Sequence, residues 1–517
     1  MCEPHKIPGM THTGAWDLPD VLNMAEQALS HPASKTAIVD VTEAEAAART
    51  VSFGELNAMV DDVARYLLTR LSPGDRVGVL LSQTPWCAAA HLAAWKIGLI
   101  SVPLFKLFGH DALASRMRDA DLGLVLTDAA GILQVGDLAE AVDVAQVGLP
   151  GEALEFAATT PETPAILIYT SGTTGSPKGA LHGHCLLTGH LPGVWLSHDH
   201  LGQEGDCLWT PADWAWIGGL FDVLMPGLAL GVPVVAARLE KFTAEACQDV
   251  LTRGQVRNVF FPPTALRMLK SAPPQSMQGF RRLRSIASGG EPLGAEMLAW
   301  GRSEIGLTIN EFYGQTECNM VVSACQADFA PRPGCIGRAV PGHQVAVIDP
   351  EGHPTAAEGD VAIHRGSPSM MLNYWRRPQE TAEKFRGPWL VTGDRAVMKD
   401  GFVQFLGRQD DVITSGGYRI GPSEIEDSLM THPAVEAVGV VGKPDPLRTE
   451  IVKAFVVLKP GFTSSASELQ DYAKARLAQY SYPREVEFIT HLPLTVTGKV
   501  LRAELKQRVM AELEGKA

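Results

Sequence analysis

The sequence predicts an α/β protein with a large N-terminal domain and a smaller α+β C-terminal domain. Short apolar runs alternate with helical patterns over most of the chain, as expected for parallel sheets covered by helices. After about residue 331 the strands become shorter and Gly/Pro turns more frequent, and after residue 411 a compact mixture of helices and strands follows. The length of 517 residues also exceeds the ~250–300 residues at which single cores stop growing.

The predicted elements follow this order along the chain. In the N-terminal domain, residues 1–409, a helix is predicted at 86–98 and buried strands are predicted at 76–81, 122–127, 165–170, 232–236 and 259–261. Its β-rich part, about 331–409, has predicted strands at 342–349, 359–364 and 401–406. The C-terminal domain, residues 410–517, has predicted helices at 422–431 and 467–477 and predicted strands at 435–441 and 452–458. We place the boundary between the domains at residues 408–411.

Composition excludes several classes of protein. The 44 basic and 58 acidic residues give a net charge of −14, so no basic surface for nucleic acid is implied. Eight cysteines without a C-x-x-C pair are typical of free thiols in a reducing compartment, and no secretory signal pattern is visible, which predicts a cytoplasmic protein. The apolar stretches 84–105 and 215–237 contain charges or prolines, so we expect no membrane span.

Histidine is concentrated in one segment of the chain, at His182, His184, His190, His198 and His200. The cluster contains two H-x-H pairs but no familiar ligand spacing and no nearby acid in such a spacing. The spacing therefore argues against a structural transition-metal site.

The strongest local motif is the segment 170–179, which follows an apolar strand and contains five hydroxyl side chains, three glycines and a lysine. Glycines allow backbone N–H groups to turn toward an anion, and the hydroxyls and the lysine add donors and charge, as a polyphosphate requires. A Walker A loop would need glycine at 177 and Ser or Thr at 179. The alternative is an ordinary flexible loop. The candidate residues are Thr170, Ser171, Gly172, Thr173, Thr174, Gly175, Ser176, Pro177 and Lys178.

Three weaker motifs follow. Residues 311–317 place two carboxylates around an aromatic pair, which suits Mg²⁺ and a purine, although an acid-rich helix start is the simpler interpretation in isolation. Asp394 and the segments 407–411 and 415–419 offer a carboxylate for a ribose diol and arginines for phosphate, or solvated surface turns. Lys499 lies on a glycine turn near the C-terminus, where a solvated surface lysine is the alternative.

Together, in this order and at this spacing, the four motifs resemble the adenylate-forming superfamily of acyl-CoA synthetases, adenylation domains and luciferases, over about residues 50–505. Within it, the chain is most similar to the medium-chain acyl-CoA synthetases, because of the segments 101–105, 313–317, 417–424, 452–458 and 482–484. The resemblance implies an N-terminal domain of two helix-wrapped sheets with a small β-barrel-like subdomain, and a mobile C-terminal domain.

The resemblance also implies roles for individual residues. Lys499 and Thr316 are expected to act in catalysis, Glu317 in catalysis and as the Mg²⁺ ligand, and Asp410 as the hinge. Residues 170–178 are expected to hold the β- and γ-phosphates of ATP, and Asp394, with Arg408 nearby, the ribose. The adenine and α-phosphate are expected to contact Gly290, Glu291, Pro292, Glu311, Phe312, Tyr313, Gly314, Gln315 and Thr316.

The CoA and acyl sites are expected in other segments. Gly416, Gly417 and Tyr418 are expected along the pantetheine path, with Arg448 and Arg484 as candidates for the nucleotide phosphates or as surface arginines. For the acyl pocket we expect Trp214, Trp216 and Gly314. A tryptophan stands at the position of Gly314 in acetyl-CoA synthetases, so glycine there predicts an acyl group longer than acetate. Trp214 is either a core residue or a second indole that favours short, branched or aryl acids.

The predicted activity is that of an ATP-dependent carboxylic acid–CoA ligase, with Mg²⁺ as cofactor and ATP and CoA as co-substrates. It would form an acyl-adenylate and then a thioester of a short- to medium-chain or aryl acid. The alternatives are an enzyme that loads a carrier protein, a luciferase-like oxygenase, and a non-catalytic nucleotide-binding protein. The oligomeric state stays open between monomer and homodimer.

Overall fold

The computed structural model describes residues 7–43, 47–170, 177–270, 272–273, 279–290, 293, 295–332, 334–408, 413–420, 422–493, 500 and 502–515. The chain divides into two compact units. The first comprises residues 1–106, 120–168 and 179–408, and the second comprises residues 107–119, 169–178 and 409–517. The second unit thus contains the predicted C-terminal domain together with two short segments that the sequence analysis had assigned to the N-terminal domain.

A seven-stranded sheet contains the first predicted strands. Strands 76–79, 100–103, 124–127 and 140–143 pair in parallel, and those at 100–103 and 124–127 are buried along their whole length. Burial on both faces explains why these segments are continuous apolar runs rather than alternating ones. In order across the sheet, the strands are Asn373–Tyr374, Lys178–Gly183, Pro164–Thr170, Ile100–Pro103, Arg76–Val79, Leu124–Thr127 and Glu140–Asp143.

A fourteen-stranded sheet contains most of the other strands of the first unit. Its order is Val345–Ile348, Gly359–His364, Trp389–Lys399, Phe402–Arg408, Gly337–Ala339, Cys318–Ser323, Ile309–Gln315, Ser285–Gly289, Asn258–Phe260, Leu208–Trp209, Val234–Ala236, Thr36–Asp40 and Arg49–Ser52, with Phe385–Arg386 beside Trp389–Lys399. The predicted strand-rich region is therefore present, but it is not a separate sheet. Strand Gly337–Ala339 pairs antiparallel with Cys318–Ser323 on one side and with Phe402–Arg408 on the other. The strand-rich region therefore continues the parallel sheet, whose edge strand would otherwise offer unpaired backbone groups.

Helices cover these sheets. In the first unit they are Met24–Leu29, Phe53–Leu68, Pro85–Lys96, Ala129–Val135, Leu186–Ser197, Ile217–Gly219, Met225–Ala229, Ala244–Arg253, Pro263–Lys270, Ala295–Trp300 and Pro378–Glu383, with π-helical turns at Leu220–Leu224 and Gly301–Ile305. The apolar stretch 215–237 is thus a series of short buried helical turns followed by a strand. No helix among the described residues combines the length and the apolar character needed to cross a membrane.

Local chemistry fixes where the predicted helix at 86–98 begins and ends. The Thr84 side chain accepts a hydrogen bond from the N–H of Cys87, and Pro85 occupies the first turn, where its missing N–H costs nothing. Gly98 adopts a φ of +75°, which ends the helix because only glycine takes this conformation readily. The observed bounds, Pro85–Lys96, differ from the prediction by one residue at the start and two at the end.

Within its described residues, the second unit contains a five-stranded sheet and four helices. The strands run in the order Tyr418–Ile420, Ile413–Ser415, Thr449–Leu458 and Val435–Asp445, with Glu485–Phe488 parallel to Thr449–Leu458. The helices are His110–Asp119, Pro422–Met430, Ala466–Lys474 and Arg502–Glu514. The predicted α+β character of this part of the chain is confirmed, and each predicted element is present within a few residues of its expected bounds.

A buried lysine holds the C-terminal helix of this unit against its sheet. Lys453 is 1% exposed, and its Nζ lies 2.9 Å from Glu485, 2.7 Å from Glu487 and 2.6 Å from Glu512. Burial by itself would lower the pKa of Lys453, but hydrogen bonds to the three carboxylates outweigh it and raise the pKa. The charged ammonium thus bridges three carboxylates, which Lys443 and Arg508 also contact.

We expect Lys453→Met to destabilise the second unit by about 1.5–3 kcal/mol, because Glu485, Glu487 and Glu512 lose the hydrogen bonds of a buried charged donor while Lys443 and Arg508 remain beside them. Denaturant unfolding measures the loss. The matched control is Lys474→Met, since Lys474 pairs with Asp471 on the surface and such pairs contribute ~0–1 kcal/mol. Equal losses in the two variants would contradict this account.

Candidate active site

The acidic segment 311–317 forms a strand and a tight turn, so its interpretation as a helix start is wrong. Strand Ile309–Gln315 pairs antiparallel with Cys318–Ser323, and Thr316 and Glu317 form the turn between them. On its other side, the same strand pairs in parallel with Ser285–Gly289. Thr316 and Glu317, two of the predicted catalytic residues, therefore lie where the parallel part of the sheet meets the antiparallel part.

Asp394 lies at the centre of a buried hydrogen-bond network. It is 3% exposed, and its Oδ2 accepts hydrogen bonds from the Tyr313 hydroxyl and from Gln315 Nε2, each at 2.6 Å. Gln315 Nε2 also donates to the carbonyl of Thr392 at 3.0 Å, and the Thr392 hydroxyl accepts from the N–H of Asp394 at 3.1 Å. Tyr313 and Gln315, from one predicted motif, thus meet the carboxylate of Asp394, from another.

Arg408 lies opposite Asp394 on the neighbouring strand, since the two residues are register partners between Trp389–Lys399 and Phe402–Arg408. The backbone therefore brings together the two residues expected near the ribose. The Arg408 side chain lies outside the described part of the structure.

Glu317 has a partner that the sequence analysis did not select. The Tyr374 hydroxyl donates to Glu317 Oε1 at 2.5 Å, and the N–H of Met371 donates to the Glu317 carbonyl at 2.8 Å. Burial and the charge of Glu317 raise the pKa of Tyr374. Burial lowers the pKa of His182 to about 4, although a hydrogen bond with the backbone of Thr316 and the charge of Glu317 act in the opposite direction. Glu317 therefore has the phenol of Tyr374 and the neutral imidazole of His182 as neighbours.

Glu311 is a carboxyl of a different kind. Its Oε1 accepts a hydrogen bond from the N–H of Leu293 at 3.2 Å, yet burial raises its pKa to about 7. Gly290, which follows the adjacent strand, adopts a φ of +93° with no atom within 4 Å of the position of a Cβ. Phe312, in contrast, is buried and packs on Phe260 with ring centroids 5.0 Å apart. Of the residues expected around the adenine, Phe312 is thus part of the core.

The phosphate-loop motif connects two strands. Thr170 ends strand Pro164–Thr170, Lys178 begins strand Lys178–Gly183, and the Thr170 hydroxyl donates to the carbonyl of Lys178 at 3.3 Å. Pro177 is half-buried. Several selected residues lie outside the described residues: Ser171, Gly172, Thr173, Thr174, Gly175, Ser176, Glu291, Pro292, Asp410 and Lys499.

Gly314 has a neighbour that the sequence did not predict. A Cβ at this position would lie 2.2 Å from Asn319 Oδ1 and 2.5 Å from its Cα, across the hairpin. Asn319 Nδ2 in turn donates to both carboxylate oxygens of Asp222, at 2.8 and 3.1 Å. The expectation that glycine here opens empty space is therefore not supported by the local packing. Glycine is required because the backbone of the facing strand approaches closely.

Asp222 belongs to a π-helical turn, Leu220–Leu224, a feature frequent at functional sites. Its carboxyl is 3% exposed and lies 3.9 Å from His190 Nε2. Burial raises the pKa of Asp222, against the hydrogen bond from Asn319, and burial lowers the pKa of His190 to about 3. Both groups therefore favour their neutral forms, so a buried polar pair lies behind Gly314.

The two tryptophans of the predicted acyl pocket lie in different environments. Trp214 is 1% exposed and belongs to the main hydrophobic core of the first unit. Trp216 is half-buried, and its ring meets that of Phe105 edge-on with centroids 5.6 Å apart. Trp214 thus has the packing of a core residue, and Trp216 is the more accessible of the two.

The residues expected to bind CoA gather at one end of the five-stranded sheet. Gly416 and Gly417, with φ values of +62° and +79°, form the turn before Tyr418, and the N–H of Gly416 donates to the Arg448 carbonyl at 3.0 Å. Tyr418 stacks on Tyr480 with centroids 3.9 Å apart. Burial, followed by the charge of Arg484, lowers the pKa of Arg448. Because the guanidinium groups of Arg448 and Arg484 repel each other, a bound anion between them would stabilise both.

Tyr374, His182, Asn319 and Asp222 are the residues of this region that the sequence analysis missed. Tyr374 reaches Glu317 by a side-chain hydrogen bond from a distant part of the sequence, and Asn319 faces Gly314 across the hairpin. No sequence spacing reveals either contact. The available signal for Asp222 was its position as the one charge in the apolar stretch 215–237, which favours a functional or paired acid over a solvated one.

These features define a two-unit α/β enzyme in which the carboxylate of Asp394, the phenol of Tyr313 and the amide of Gln315 converge in a mixed sheet. The sequence profile of AMP-binding enzymes matches residues 24–375, and that of the AMP-binding enzyme C-terminal domain matches residues 424–499. The chain therefore belongs to the family of AMP-binding enzymes.

Similar proteins of known activity indicate which class of AMP-binding enzyme this chain belongs to. Acyl-coenzyme A synthetase ACSM4 of Rattus norvegicus is 34% identical over 88% of this chain and 84% of its own length. Acetyl-coenzyme A synthetase of Bacillus subtilis is 33% identical over 84% of this chain and 80% of its own length. The solved structure of amide bond synthetase McbA from Marinactinospora thermotolerans matches with a TM-score of 0.83 at 26% identity, over 94% of this chain and 99% of that one. The chain is an AMP-forming acid–CoA ligase of the acyl-CoA synthetase class.

We expect Gly314→Ala to lower both stability and activity, because its Cβ would meet the Asn319 backbone inside van der Waals distance. An overpacked position of this kind costs ~1–3 kcal/mol, measurable as a fall in the melting temperature of the purified protein. Gly123→Ala is the control, since nothing lies within 4 Å of a Cβ there. A Gly314→Ala protein as stable as the Gly123→Ala protein would show that the hairpin has room for a side chain.

Proposed function

We propose that this ligase activates a short- to medium-chain or aryl carboxylic acid and transfers it to CoA in two steps. In the first step a carboxylate oxygen attacks the α-phosphorus of ATP, and the bond to the β-phosphate oxygen breaks to release pyrophosphate. In the second step the thiolate of CoA attacks the acyl carbon, and AMP leaves. The observation that supports this proposal best is the convergence of Tyr313, Gln315 and Asp394, with Glu317 on the same hairpin.

The hydrogen bonds at Asp394 suit the binding of a ribose. A buried carboxylate that accepts two hydrogen bonds has a fixed orientation, and such preorganisation spares the enzyme a reorganisation cost when ligand binds. Arg408, opposite on the next strand, would contribute a second contact. Residues 170–178 would hold the β- and γ-phosphates, and Gly290, Glu291, Pro292 and the segment 311–316 would contact the adenine and α-phosphate.

Glu317 is the group that would hold Mg²⁺. Hard divalent cations prefer carboxylate oxygens, and the raised pKa of Tyr374 reflects both its burial and the negative charge of Glu317 beside it. Bound there, Mg²⁺ would neutralise phosphate charge. Thr316 would position the α-phosphate, and Lys499 would stabilise the charge that develops on the α-phosphoryl oxygens. Asp410 would act as the hinge of the C-terminal domain between the two steps.

The acyl group would occupy the region of Trp216, Phe105 and Gly314. Because Asn319 and the buried Asp222 stand behind Gly314, the inner end of this region is polar, which favours short chains or a ring over a long alkyl chain. A role in the metabolism of fatty or aryl acids in the cytoplasm fits this substrate range. The seven cysteines within the described residues form no disulfide, as in a reducing compartment.

The experiment that tests this function measures pyrophosphate release with straight, branched and aromatic carboxylic acids in the presence of Mg²⁺, with and without CoA. We expect release with short- to medium-chain or aryl acids and stoichiometric thioester formation once CoA is added. Lys499→Ala should lose pyrophosphate release yet still convert a supplied acyl-adenylate and CoA to thioester. Equal loss of both steps in this variant would contradict the role given to Lys499.

The acceptor is tested in the same assay. Thioester formation on a carrier protein but not on free CoA would favour the carrier-loading alternative, and amide formation with an amine would favour the activity named for McbA. If no acid supports pyrophosphate release, a non-catalytic nucleotide-binding role replaces the proposal.

We expect Arg448→Ala to raise the KM for CoA about tenfold or more, because loss of a charge-assisted contact to phosphate costs ~1.5–3 kcal/mol. The KM values for ATP and acid should not change. Dephospho-CoA, which lacks the 3′-phosphate, provides the matched comparison, and Arg484→Ala tests the second guanidinium. If the wild type and both variants discriminate equally between CoA and dephospho-CoA, these arginines do not bind the 3′-phosphate.

A further inference from the structure

A cluster of side chains in the first unit has the composition of a zinc site. His200, Cys325 and Asp328 each offer one ligand atom, and these three atoms lie within 4.8 Å of one another. Asp199 lies beside them, since its Oδ1 accepts a hydrogen bond from Cys325 Sγ at 3.7 Å. The catalytic roles proposed above use none of these residues.

Two separations between the ligand atoms are close to those of a tetrahedral zinc site. Typical zinc bonds of ~2.3 Å to sulfur and ~2.0–2.2 Å to nitrogen and oxygen require an S–N separation of about 3.5 Å and an N–O separation of about 3.3 Å. The observed values are 3.9 Å for Cys325 Sγ to His200 Nε2 and 3.1 Å for His200 Nε2 to Asp328 Oδ1.

Two local structures hold the ligands in place. After Cys325 the chain turns sharply, with the N–H groups of Asp328 and Phe329 both donating to the Cys325 carbonyl, at 3.2 and 3.0 Å. This turn brings Asp328 back beside the thiol three residues earlier. The N–H of Ala327 donates to Asp199 Oδ1 at 3.0 Å, so the second segment is attached to the same turn.

The second segment has an unusual backbone. Asp199 and His200 are consecutive non-glycine residues with φ values of +50° and +65°, a conformation that costs of order 1–3 kcal/mol per residue and clusters at functional sites. The His200 ring is fixed by stacking on Trp195, with centroids 4.1 Å apart and planes at 17°. Arg284 donates to the Asp199 carbonyl at 2.9 Å and thereby stabilises the strained turn.

Cys325 is fully buried, and its thiol donates a hydrogen bond to Asp199 Oδ1. A divalent metal would take the place of the thiol proton and would face the carboxylates of Asp328 and Asp199.

We propose that His200, Cys325 and Asp328 bind a zinc ion that stabilises this part of the fold. The mixture of thiolate, imidazole and carboxylate suits this borderline-soft metal, and Asp199 supplies a further carboxylate beside the thiol and the same turn. Zinc binding would release the proton of Cys325 and fasten the segment after helix Leu186–Ser197 to the segment after strand Cys318–Ser323. Only His200 of the histidine-rich segment participates: among the others, His184 accepts from the N–H of Met24 and His198 bonds to Ser285.

The test uses the full-length protein, stripped of metal with a chelator and then equilibrated with Zn²⁺ alone or Co²⁺ alone. We expect one zinc per chain after desalting, a thiolate-to-cobalt charge-transfer band with Co²⁺, and a higher melting temperature with Zn²⁺. Ligase activity at room temperature should not depend on the zinc. The cobalt band separates this site from the carboxylate Glu317, which contains no sulfur.

Substitutions of the proposed ligands test whether these residues bind the zinc ion. Cys325→Ser should lose the cobalt band and weaken zinc binding by more than ~100-fold, since even outer-shell partners of metal ligands account for 10–100-fold. The control is Cys335→Ser, a half-buried cysteine nearby in sequence, which should behave as wild type. Asp328→Asn, at a more exposed position, tests the site if Cys325→Ser does not fold. A wild-type stoichiometry far below one, or full zinc binding by Cys325→Ser or Asp328→Asn, would overturn the proposal.

Discussion

The buried carboxylate of Asp394 is the constraint on which the arrangement of the first unit depends. A charge at 3% exposure is tolerated only if donors satisfy it, and the donors, Tyr313 and Gln315, come from a different strand. That strand pairs in parallel with one neighbour and antiparallel with the other. The hydrogen bonds to Asp394 therefore tie the strand-rich region to the parallel sheet and at the same time fix the orientation of its carboxylate.

Close backbone approach explains the rest of the hairpin. Gly314 leaves room for Asn319, Asn319 donates to Asp222, and Asp222 occupies a π-helical turn beside His190. A glycine that pattern reasoning assigns to an enlarged pocket is thus required by packing.

Much of the fold and part of the site could be predicted. The strands at 359–364 and 165–170 appear with nearly the expected bounds, because buried strands and clear turn residues leave strong apolar signals. Tyr313 and Gln315 were selected from one motif and Asp394 from another, and they meet. Asn319 was missed, because the register of the hairpin brings it against Gly314, and Tyr374 and His182 were missed, because each lies far in sequence from the residues that it contacts. The same reason hid Cys325 and Asp328 from the comparison of histidine spacings, since ligands on separate loops leave no local pattern.

The sequence by itself determined the α/β class, the change of character near residue 409 and the motifs that mark an AMP-binding enzyme. These depend on local chemistry: apolar period, glycine conformation, and the charges and hydroxyls within a few residues of one another. Only the tertiary structure decided that the strand-rich region continues the large sheet, that Glu317 pairs with Tyr374, and that Asn319 stands against Gly314. Those outcomes depend on which strands become neighbours, and strand pairing is set by the packing of the whole unit rather than by any single segment.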